Sequence, residues 1–516
     1  MTSIRRRLGL SANHPAQTCW ALLGLALCFA TSVALTPTPA PTSAAPIVQA
    51  VANPASLSAT DSALYKMIYA AEEANDHTGA NALIAQLSNR LLVGNVLAQR
   101  YLNSHYKVSV QELDHWLEAY ADHPRASRIA RLAMSKGVKT PLTDGSQPLR
   151  GEGYTDHMGR SGMPDAWFTA LGRWREGDVA AAKTIFVKLS ADEALSDWQR
   201  SAAYYWAYRA ADRLGDTDLA AQSLLSAAHY PTTFYGLLAA EQSGDLDITA
   251  EAPKVSSHLR SDPHAIRAAL LSSLGRNDDA EDELRLLYST IDKTMRPGII
   301  TLASEMGLSN LQVRLARTPG LSAREALFAN YPMPQFMMQL HPVMDPALLL
   351  AVARNESSFR DSAASGAGAV GMMQMLPSTA RAVERHVGRE MLSVASADNS
   401  NAPLAERLND PAMSARYGAE YLKLLTKQPA IGNNLVRLLV GYNAGPGTVA
   451  NWQSASRNVS DPLLYIESIP YPETRNYVMQ VSAQYWVYQL MMDEKPTTLS
   501  AMARGQWPTL PVKAGA

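Results

Sequence analysis

The sequence is poor in cysteine, in net charge and in long apolar segments. Its only cysteines are Cys19 and Cys28, so neither a disulfide framework nor a cysteine-ligated metal site is expected in the folded part. The 46 basic and 47 acidic side chains give a net charge of −1. That balance argues against a nucleic-acid-binding protein, which usually has a basic excess. Beyond the N-terminal segment, no apolar run reaches the roughly 20 residues of a membrane-spanning helix.

The first 34 residues have the pattern of a secretory signal peptide. Three arginines at positions 5–7 precede an apolar run at 21–33, and Ser32-Val33-Ala34 offers small residues for cleavage. The alternative is a membrane anchor that is never cut. Cys28 raises the question of a lipoprotein, but Leu27 is too large for the position before a lipidated cysteine. We therefore predict export, with a Pro/Thr/Ala-rich linker at 35–60.

Residues 61–330 show the periodicity of amphipathic helices separated by short turns. A weak repeat places Gly or Asn, then Ala five positions later, then a large apolar residue four positions further. Gly or Asn can end one helix in the left-handed conformation, and Ala allows close packing in the next helix. This pattern predicts a superhelix of stacked helical hairpins, although an ordinary all-helical domain remains the alternative. The four copies are Asn75-Ala80-Ile84, Gly177-Ala182-Phe186, Gly215-Ala220-Leu224 and Gly275-Ala280-Leu284.

Large aromatic side chains in this region have two readings. Trp167, Trp174, Tyr204 and Trp206 could offer flat faces to sugars, but their helical spacing favours core packing, and we assign them no site role. The composition changes near Tyr331-Pro-Met-Pro334. From there we predict a second, mainly helical domain at 331–495, followed by a polar tail at 496–516.

One carboxylate, Glu356, stands at the end of an otherwise apolar helix. Asp345-Pro346 has the pattern of an N-cap followed by a proline in the first turn. Residues 347–352 are almost wholly apolar, which indicates a buried helix. Burial and the negative end of the helix dipole would raise the pKa of Glu356, as a general acid requires. The alternative is a solvated carboxylate that ends a helix.

Three later segments combine glycines with amide, hydroxyl and aromatic side chains. The stretch 365–377 holds three closely spaced glycines and then Gln374 among methionines. The stretch 441–447 brings Tyr442 and Asn443 to a tight turn, and 467–478 supplies Glu473 and Arg475. A bound sugar requires this mixture of flat faces and hydrogen-bonding groups. Each segment alone is weak, but together they predict a sugar-binding groove.

Other catalytic chemistries find little support. Asp345 and Glu420 are predicted to be a cap and a helix-surface residue, and Glu384 and Glu406 to be solvated, so none is a clear second catalytic carboxylate. No His/Asp/Glu cluster has metal-ligand spacing, and no Ser-His-Asp set has its nucleophile elbow. No cofactor is expected.

These segments closely resemble the soluble lytic murein transglycosylases of bacteria, whose catalytic domain has a goose-type-lysozyme-like fold. The resemblance covers roughly residues 331–495. Residues 61–330 resemble that family's superhelical domain more loosely, through hairpin repeats and Phe234-Tyr-Gly236. The expected fold class is all-α. The matching blocks are Glu356-Ser357, Gly371-Met-Met-Gln374, Tyr442-Asn-Ala-Gly-Pro446, Glu467-Ser-Ile-Pro470, Glu473-Thr-Arg475 and Asp410-Pro411 leading to Gly418-Ala-Glu-Tyr-Leu422.

The resemblance implies an activity, a partner and a site. Glu356 would be the single acid and base that cleaves the bond between N-acetylmuramic acid and N-acetylglucosamine in peptidoglycan, leaving 1,6-anhydro ends. The implied location is the periplasm, and the implied partner is the glycan strand, with cell-wall proteins as further candidates. The implied substrate-binding residues are Ser365, Gln374, Met375, Tyr442, Asn443 and Glu473.

Two other functions stay open. A hydrolase of lysozyme type would use the same acid on the same bond but would transfer the sugar to water. A peptidoglycan-binding scaffold would keep the fold without catalysis, although the intact Glu356 and its flanking blocks argue against that reading.

Overall fold

The fold is built from helices joined by short turns. The computed structural model describes residues 56–139, 162–340, 343–388, 402–455 and 459–511. Within these ranges the only β-type pairing is three isolated bridges, so the all-α prediction is confirmed. The predicted signal peptide and most of the linker lie outside the described residues. In the described ranges, no helix has both the length and the apolarity needed to cross a membrane.

The first sequence region, up to residue 330, contains sixteen described α-helices and two short 3₁₀ turns, at Lys293–Met295 and Leu315–Arg317. The helices are α1 (Ala59–Glu73), α2 (His77–Ile84), α3 (Val93–Leu102), α4 (Val110–Ala119), α5 (Ala126–Ser135), α6 (Asp165–Glu176), α7 (Val179–Ser190), α8 (Asp197–Leu214), α9 (Thr217–Ala228), α10 (Phe234–Ser243), α11 (Ser257–Arg260), α12 (Pro263–Ser273), α13 (Asn277–Thr290), α14 (Arg296–Glu305), α15 (Ser309–Arg314) and α16 (Ala323–Asn330).

The four repeat copies form helical hairpins, as their spacing predicts. Each Gly or Asn lies between two helices with a positive φ, from 58° at Asn75 to 84° at Gly177. The Ala of each copy is buried in the second helix of its hairpin. In three copies the next residue is Asp76, Asp178 or Asp216, whose carboxylate accepts a backbone N–H and caps the second helix. The repeat thus encodes both the end of one helix and the start of the next.

The second region contains ten described α-helices. They are α17 (Gln335–Met338), α18 (Pro346–Ser357), α19 (Pro377–Val387), α20 (Leu404–Asn409), α21 (Pro411–Thr426), α22 (Leu435–Ala444), α23 (Pro446–Ala455), α24 (Pro462–Glu467), α25 (Pro472–Met491) and α26 (Thr497–Ala503). Helices α18 and α22 both pack against α25. These helices carry Glu356, Tyr442, Asn443 and Glu473.

Two large apolar clusters hold the described chain together. One joins α1–α3 to α11–α16. The other runs without interruption from α6–α10 into α18, α21, α22 and α25. Trp167 and Trp206 are completely buried in this second cluster, and Trp174 nearly so, so the core reading of these aromatics is confirmed. The predicted domain boundary at 330/331 therefore falls within a shared core.

Part of the segment predicted to be a polar tail packs against the rest of the protein. Helix α26 lies against α10, and the Trp507 ring lies 5.1 Å from that of Tyr465. The Leu435 amide donates to the Pro508 carbonyl at 2.9 Å, and the Leu510 amide donates to the Asn433 carbonyl at 2.8 Å. The C-terminal segment therefore braces the start of α22, which carries Tyr442 and Asn443 at its other end.

Candidate active site

Helix α18 carries Glu356 to the edge of the core. The Asp345 carboxylate accepts from the Ala347 amide and Pro346 lies in the first turn, as predicted. Nine consecutive residues from Pro346 to Arg354 are buried, whereas Glu356, near the C-terminal end, is partly exposed. Burial raises the pKa of Glu356 to about 7; the Tyr477 hydroxyl opposes this shift and the charge of Glu473 adds to it. A carboxyl with this pKa can both donate and accept a proton near neutral pH.

The turn that follows Glu356 has an uncommon backbone. Ser358 and Phe359 are consecutive non-glycine residues with φ of 53° and 63°, a conformation that costs about 1–3 kcal/mol at each residue. Two contacts hold the turn. The Ser357 hydroxyl donates to the Met372 carbonyl at 2.7 Å, and the Asn310 amide donates to the Ser358 carbonyl at 2.9 Å. The end of α18 is therefore fixed from both regions of the chain.

The glycine-rich loop beside this turn is held by its own polar groups. The exposed Ser365 hydroxyl accepts from the Ala369 amide at 3.0 Å. Gly371 has a φ of 79°, and a Cβ there would lie 1.9 Å from the Leu408 carbonyl oxygen, so only glycine fits. The Gln374 amide nitrogen donates to the carbonyls of Ala363 and Gly371 at 3.1 and 2.9 Å. Its side-chain oxygen is left to accept from a ligand.

Helix α22 brings Tyr442 and Asn443 to the same place. The Tyr442 hydroxyl donates to the Met373 carbonyl at 2.9 Å, which ties α22 to the glycine-rich loop. The pKa of this hydroxyl is raised by burial and then by the charge of Glu356. The Asn443 side-chain oxygen accepts from the Thr474 hydroxyl at 2.7 Å. Tyr442 therefore neighbours Glu356, while Asn443 connects α22 to the first turn of α25.

The other two predicted substrate-binding residues differ in exposure. Glu473 is exposed in the first turn of α25, where the positive end of the helix dipole favours a carboxylate. Met375 is 3% exposed and packs in a small cluster with Met413 and Tyr417. Its side chain supports the loop from within and does not lie on the surface. The neighbouring Leu376 is exposed instead.

Tyr477 is a site residue that sequence reasoning missed. Its buried hydroxyl forms no hydrogen bond of normal geometry within the described residues. Its pKa is raised well above the usual value, first by burial and then by the charge of Glu356, so the hydroxyl faces that carboxyl. Tyr477 follows Glu473 by four residues on α25, a spacing that puts both side chains on one helix face. That spacing was the available signal.

The block that begins at Glu467 joins the two regions. The buried Glu467 carboxylate accepts from the Tyr235 hydroxyl at 2.6 Å and from the Trp167 ring nitrogen at 3.3 Å. Burial raises its pKa, while Tyr235, Arg475 and other neighbours oppose that shift. Tyr235 belongs to the Phe234-Tyr-Gly236 element. Glu467 therefore anchors α24 to α6 and α10 and does not face the groove.

The remaining carboxylates are mostly held by arginines. The predicted surface position of Glu420 is wrong: it is buried and lies 3.3 Å from Arg416. The predicted solvation of Glu384 is also wrong, because Arg407 contacts it at 2.7 Å. Glu406 is exposed, as predicted. Glu473 is thus the second carboxylate whose charge acts on Glu356. Within the ranges that the structure covers, no group of three or more side chains could hold a metal ion.

Sequence similarity to a known protein family is found in the second region. A sequence model of the transglycosylase SLT domain matches residues 334–464. The soluble lytic murein transglycosylase of Escherichia coli K12 is 35% identical over 157 residues, which cover 30% of this chain and 22% of that protein. The soluble lytic murein transglycosylase of Salmonella typhimurium is 28% identical over 309 residues, or 57% of this chain and 45% of that one. The chain thus matches less than half the length of these two relatives.

A solved structure extends the likeness to the whole fold. The crystal structure of the 70 kDa soluble lytic transglycosylase of E. coli matches with a TM-score of 0.54 at 22% identity, covering 87% of this chain and 73% of that one. The predicted combination of a superhelical region with a lysozyme-like helical domain is therefore confirmed. Residues 334–464 thus match a transglycosylase SLT domain, and the chain is similar to soluble lytic murein transglycosylases over part of its length.

Proposed function

We propose that this protein is a peptidoglycan lytic transglycosylase. It cleaves the β-1,4 bond between N-acetylmuramic acid and N-acetylglucosamine and leaves 1,6-anhydro ends. The observation that carries the proposal is Glu356, a carboxyl whose pKa is raised to about 7 at the end of a buried helix. Further support comes from Glu473 and Tyr442, which lie near enough to Glu356 for electrostatic interaction, and from the Tyr442 hydroxyl, which holds the loop that carries Gln374.

The proposed reaction uses one carboxyl twice. Protonated Glu356 first gives its proton to the glycosidic oxygen, and the bond from that oxygen to C1 of the muramic residue breaks. The 2-acetamido carbonyl of the same sugar supports the positive charge at C1. Ionised Glu356 then removes the proton of the C6 hydroxyl, whose oxygen closes on C1. The proton returns to Glu356, no water is consumed, and the site must keep water away from C1.

The other site residues bind and orient the glycan. The free side-chain oxygen of Gln374 accepts from a sugar hydroxyl or amide, because both of its donors are already used. Tyr442 and Asn443 line the groove beside Glu356, and Glu473 binds glycan hydroxyls at the exposed start of α25. Ser365 orients the acetamido group at the rim of the loop. Met375 contributes by holding the loop in shape.

The proposed location is the periplasm, reached through a signal peptide at residues 1–34. There the substrate is the glycan strand, and the helical repeats offer surfaces for strands or for cell-wall proteins. A fusion of residues 1–60 to a reporter that functions only after export tests this placement. Loss of reporter activity when the three N-terminal arginines are replaced is the expected result, whereas unchanged activity contradicts it.

Mass spectrometry of digested muropeptides tests the reaction. Anhydro products are one water lighter than the reducing-end products of a lysozyme-type hydrolase. We expect anhydro products from the wild type and from Glu406→Gln, the matched control at an exposed carboxyl. Glu356→Gln should bind glycan but release no product. Reducing-end products would identify a hydrolase, and binding without any cleavage by the wild type would identify a scaffold.

A further inference from the structure

A cavity of about 240 Å³ lies between the helical repeats and the turn after α18. One wall comes from residues 277–285 of α13 and another from residues 307–314 at the start of α15. The third wall is formed by residues 359–362. None of the predicted substrate-binding residues lines this space, and neither does Glu356. It is separate from the proposed glycan site.

Three charged side chains that line this cavity have no partner among the described residues. Glu281 of α13, Arg314 of α15 and Asp361 of the turn form no side-chain hydrogen bond or ion pair there. All three are only partly exposed. Leaving a partly buried charge unpaired is costly, so these three groups are suited to a charged ligand.

Side chains of both signs line the cavity. They are Arg285, Arg314 and Arg360 together with Asp278, Glu281 and Asp361. Burial lowers the pKa of Arg314, and the nearby charges of Arg285 and Arg360 lower it further. Burial raises the pKa of Asp361 to about 7, and the charges of Asp278 and Asp410 add to the shift.

Glu281 lies close enough to Arg285, Arg314, Asp278 and Asp361 for their charges to act on it. Because anionic and cationic groups lie in one small space, a ligand with charges of both signs would satisfy more of them than a simple ion would.

The volume and the charges of the cavity limit the class of ligand. The volume is below the roughly 300–1,000 Å³ of a site for a drug-sized molecule. Within the described ranges no carboxylate group has a metal-binding arrangement, so the carboxylates suit an organic ammonium. We propose that this cavity binds a small zwitterion, with its carboxylate at Arg314 and its ammonium at Asp361. The ligand is a free amino acid, a dipeptide, or a residue of a longer peptide that itself carries both a free ammonium and a free carboxylate.

The cavity also borders the turn that ends α18. Asn310, which lines the cavity, donates to the Ser358 carbonyl, and the buried ring of Phe359 lines it as well. A bound zwitterion would therefore lie beside the turn that follows Glu356. If the zwitterion is a residue of a peptide attached to glycan, with both charges on that residue free, this site adds peptide recognition to the proposed function; that source alone rests on the proposed function.

Calorimetric titration of the full chain with alanyl-alanine, in its L,L and D,D forms, tests the site. We expect saturable binding, and roughly tenfold or weaker binding when either the amino or the carboxyl end is blocked, because each blocked end leaves a protein charge unpaired. No heat at millimolar dipeptide, or equal binding of blocked and free forms, would overturn the proposal.

Two variants that each remove one charge test where the ligand binds. Arg314→Gln and Asp361→Asn should each lose most of the dipeptide affinity, whereas Arg317→Gln, at an exposed position of the next turn, should bind as the wild type does. A merely structural role would lower the melting temperature of the ligand-free protein. We expect no such loss, since each variant removes an unpaired charge. Undiminished binding by both variants would refute the assignment.

A final arm separates the two sources of the zwitterion. Glycan that carries its peptides and glycan stripped of them are titrated into Glu356→Gln, so that turnover plays no part. Tighter binding of the peptide-bearing glycan, lost in Asp361→Asn, identifies the attached peptide. Equal binding of both glycans, with dipeptide binding intact, identifies a free ligand. Because only binding is measured, a protein without the proposed activity would still give a clear result.

Discussion

Two glutamates, one in each region of the chain, have opposite environments. Glu283 of α13 is completely buried, and it accepts from Arg267 and contacts His264. Burial alone would raise its pKa, but His264 and Arg267 lower it to about 2. Glu356 of α18 is partly exposed and faces a tyrosine and another carboxylate, and its pKa rises to about 7. Cationic neighbours therefore keep Glu283 ionised, whereas Glu356, without such a neighbour, keeps its proton to higher pH.

The largest expected effect comes from removing the charge of Glu283. Glu283→Gln leaves the partly buried Arg267 with only the half-exposed Asp122 as a counter-charge, so we expect a loss of up to roughly 3–5 kcal/mol in the free energy of unfolding. Denaturant unfolding at pH 7 measures it. The control is Glu176→Gln, which breaks an exposed pair with Arg173 and should cost less than about 1 kcal/mol. Equal losses in the two variants would mean that burial does not determine how much an ion pair stabilises the fold.

The same substitution at Glu356 should act in the opposite direction. The folded pKa of Glu356 lies above the unfolded value of 4.5, so stability falls as pH rises from about 4.5 through about 7. Glu356→Gln removes this penalty and should gain roughly 3 kcal/mol at pH 8 and nothing near pH 4. Unfolding measured at both pH values checks this. Glu406→Gln should show no gain at either pH, and a stability loss in Glu356→Gln at pH 8 would contradict the comparison.

Glu467 is an intermediate case, because neutral donors hold it. Tyr235→Phe removes the hydroxyl that donates to this carboxylate at 2.6 Å and should cost roughly 1–3 kcal/mol of unfolding free energy. Tyr208→Phe is the control, since that hydroxyl makes no hydrogen bond within the described residues. Similar unfolding midpoints for the two variants would show that the bond between the regions contributes little.

The smallest effects should appear in the pH dependence of activity. As a general acid, Glu356 must be protonated, so kcat/KM should fall as pH rises through about 7. Tyr477 lowers the pKa of Glu356 and Glu473 raises it. Tyr477→Phe should therefore move this fall to higher pH and Glu473→Gln to lower pH, each by less than about one unit. Tyr471→Phe, at an exposed ring, should not move it, and shifts of the same sign in both variants would contradict the assignment.

Features that depend on neighbouring residues could be predicted from the sequence. The left-handed turns at Asn75, Gly177, Gly215 and Gly275 follow from local backbone preferences. The buried helix that ends at Glu356 follows from its N-cap and its apolar run. In both cases the residues that decide the structure lie within about one helical turn of one another.

Features that depend on distant residues could not be predicted. Nothing near Asn310 in the sequence indicates that it supports the turn after Glu356. Glu420 and Glu384 are predicted to lie at the surface, but each has an arginine partner, Arg416 and Arg407 respectively. Arg416 lies only one helical turn before Glu420. The position of the Tyr477 hydroxyl beside Glu356 depends on the packing of α25 against α18. These contacts are tertiary, and one sequence does not specify them.

The apolar cluster that runs from α6–α10 into α18, α22 and α25 has a consequence for how the molecule opens. Helices that share a core should exchange their amide hydrogens with solvent in one cooperative event. We therefore expect similar slow exchange in α8, α10 and α25, although α25 lies more than 200 residues from the other two in the chain. Helices α1–α3 should open with α12–α14, with which they share the other core. The helices that exchange together would then not be consecutive in the sequence.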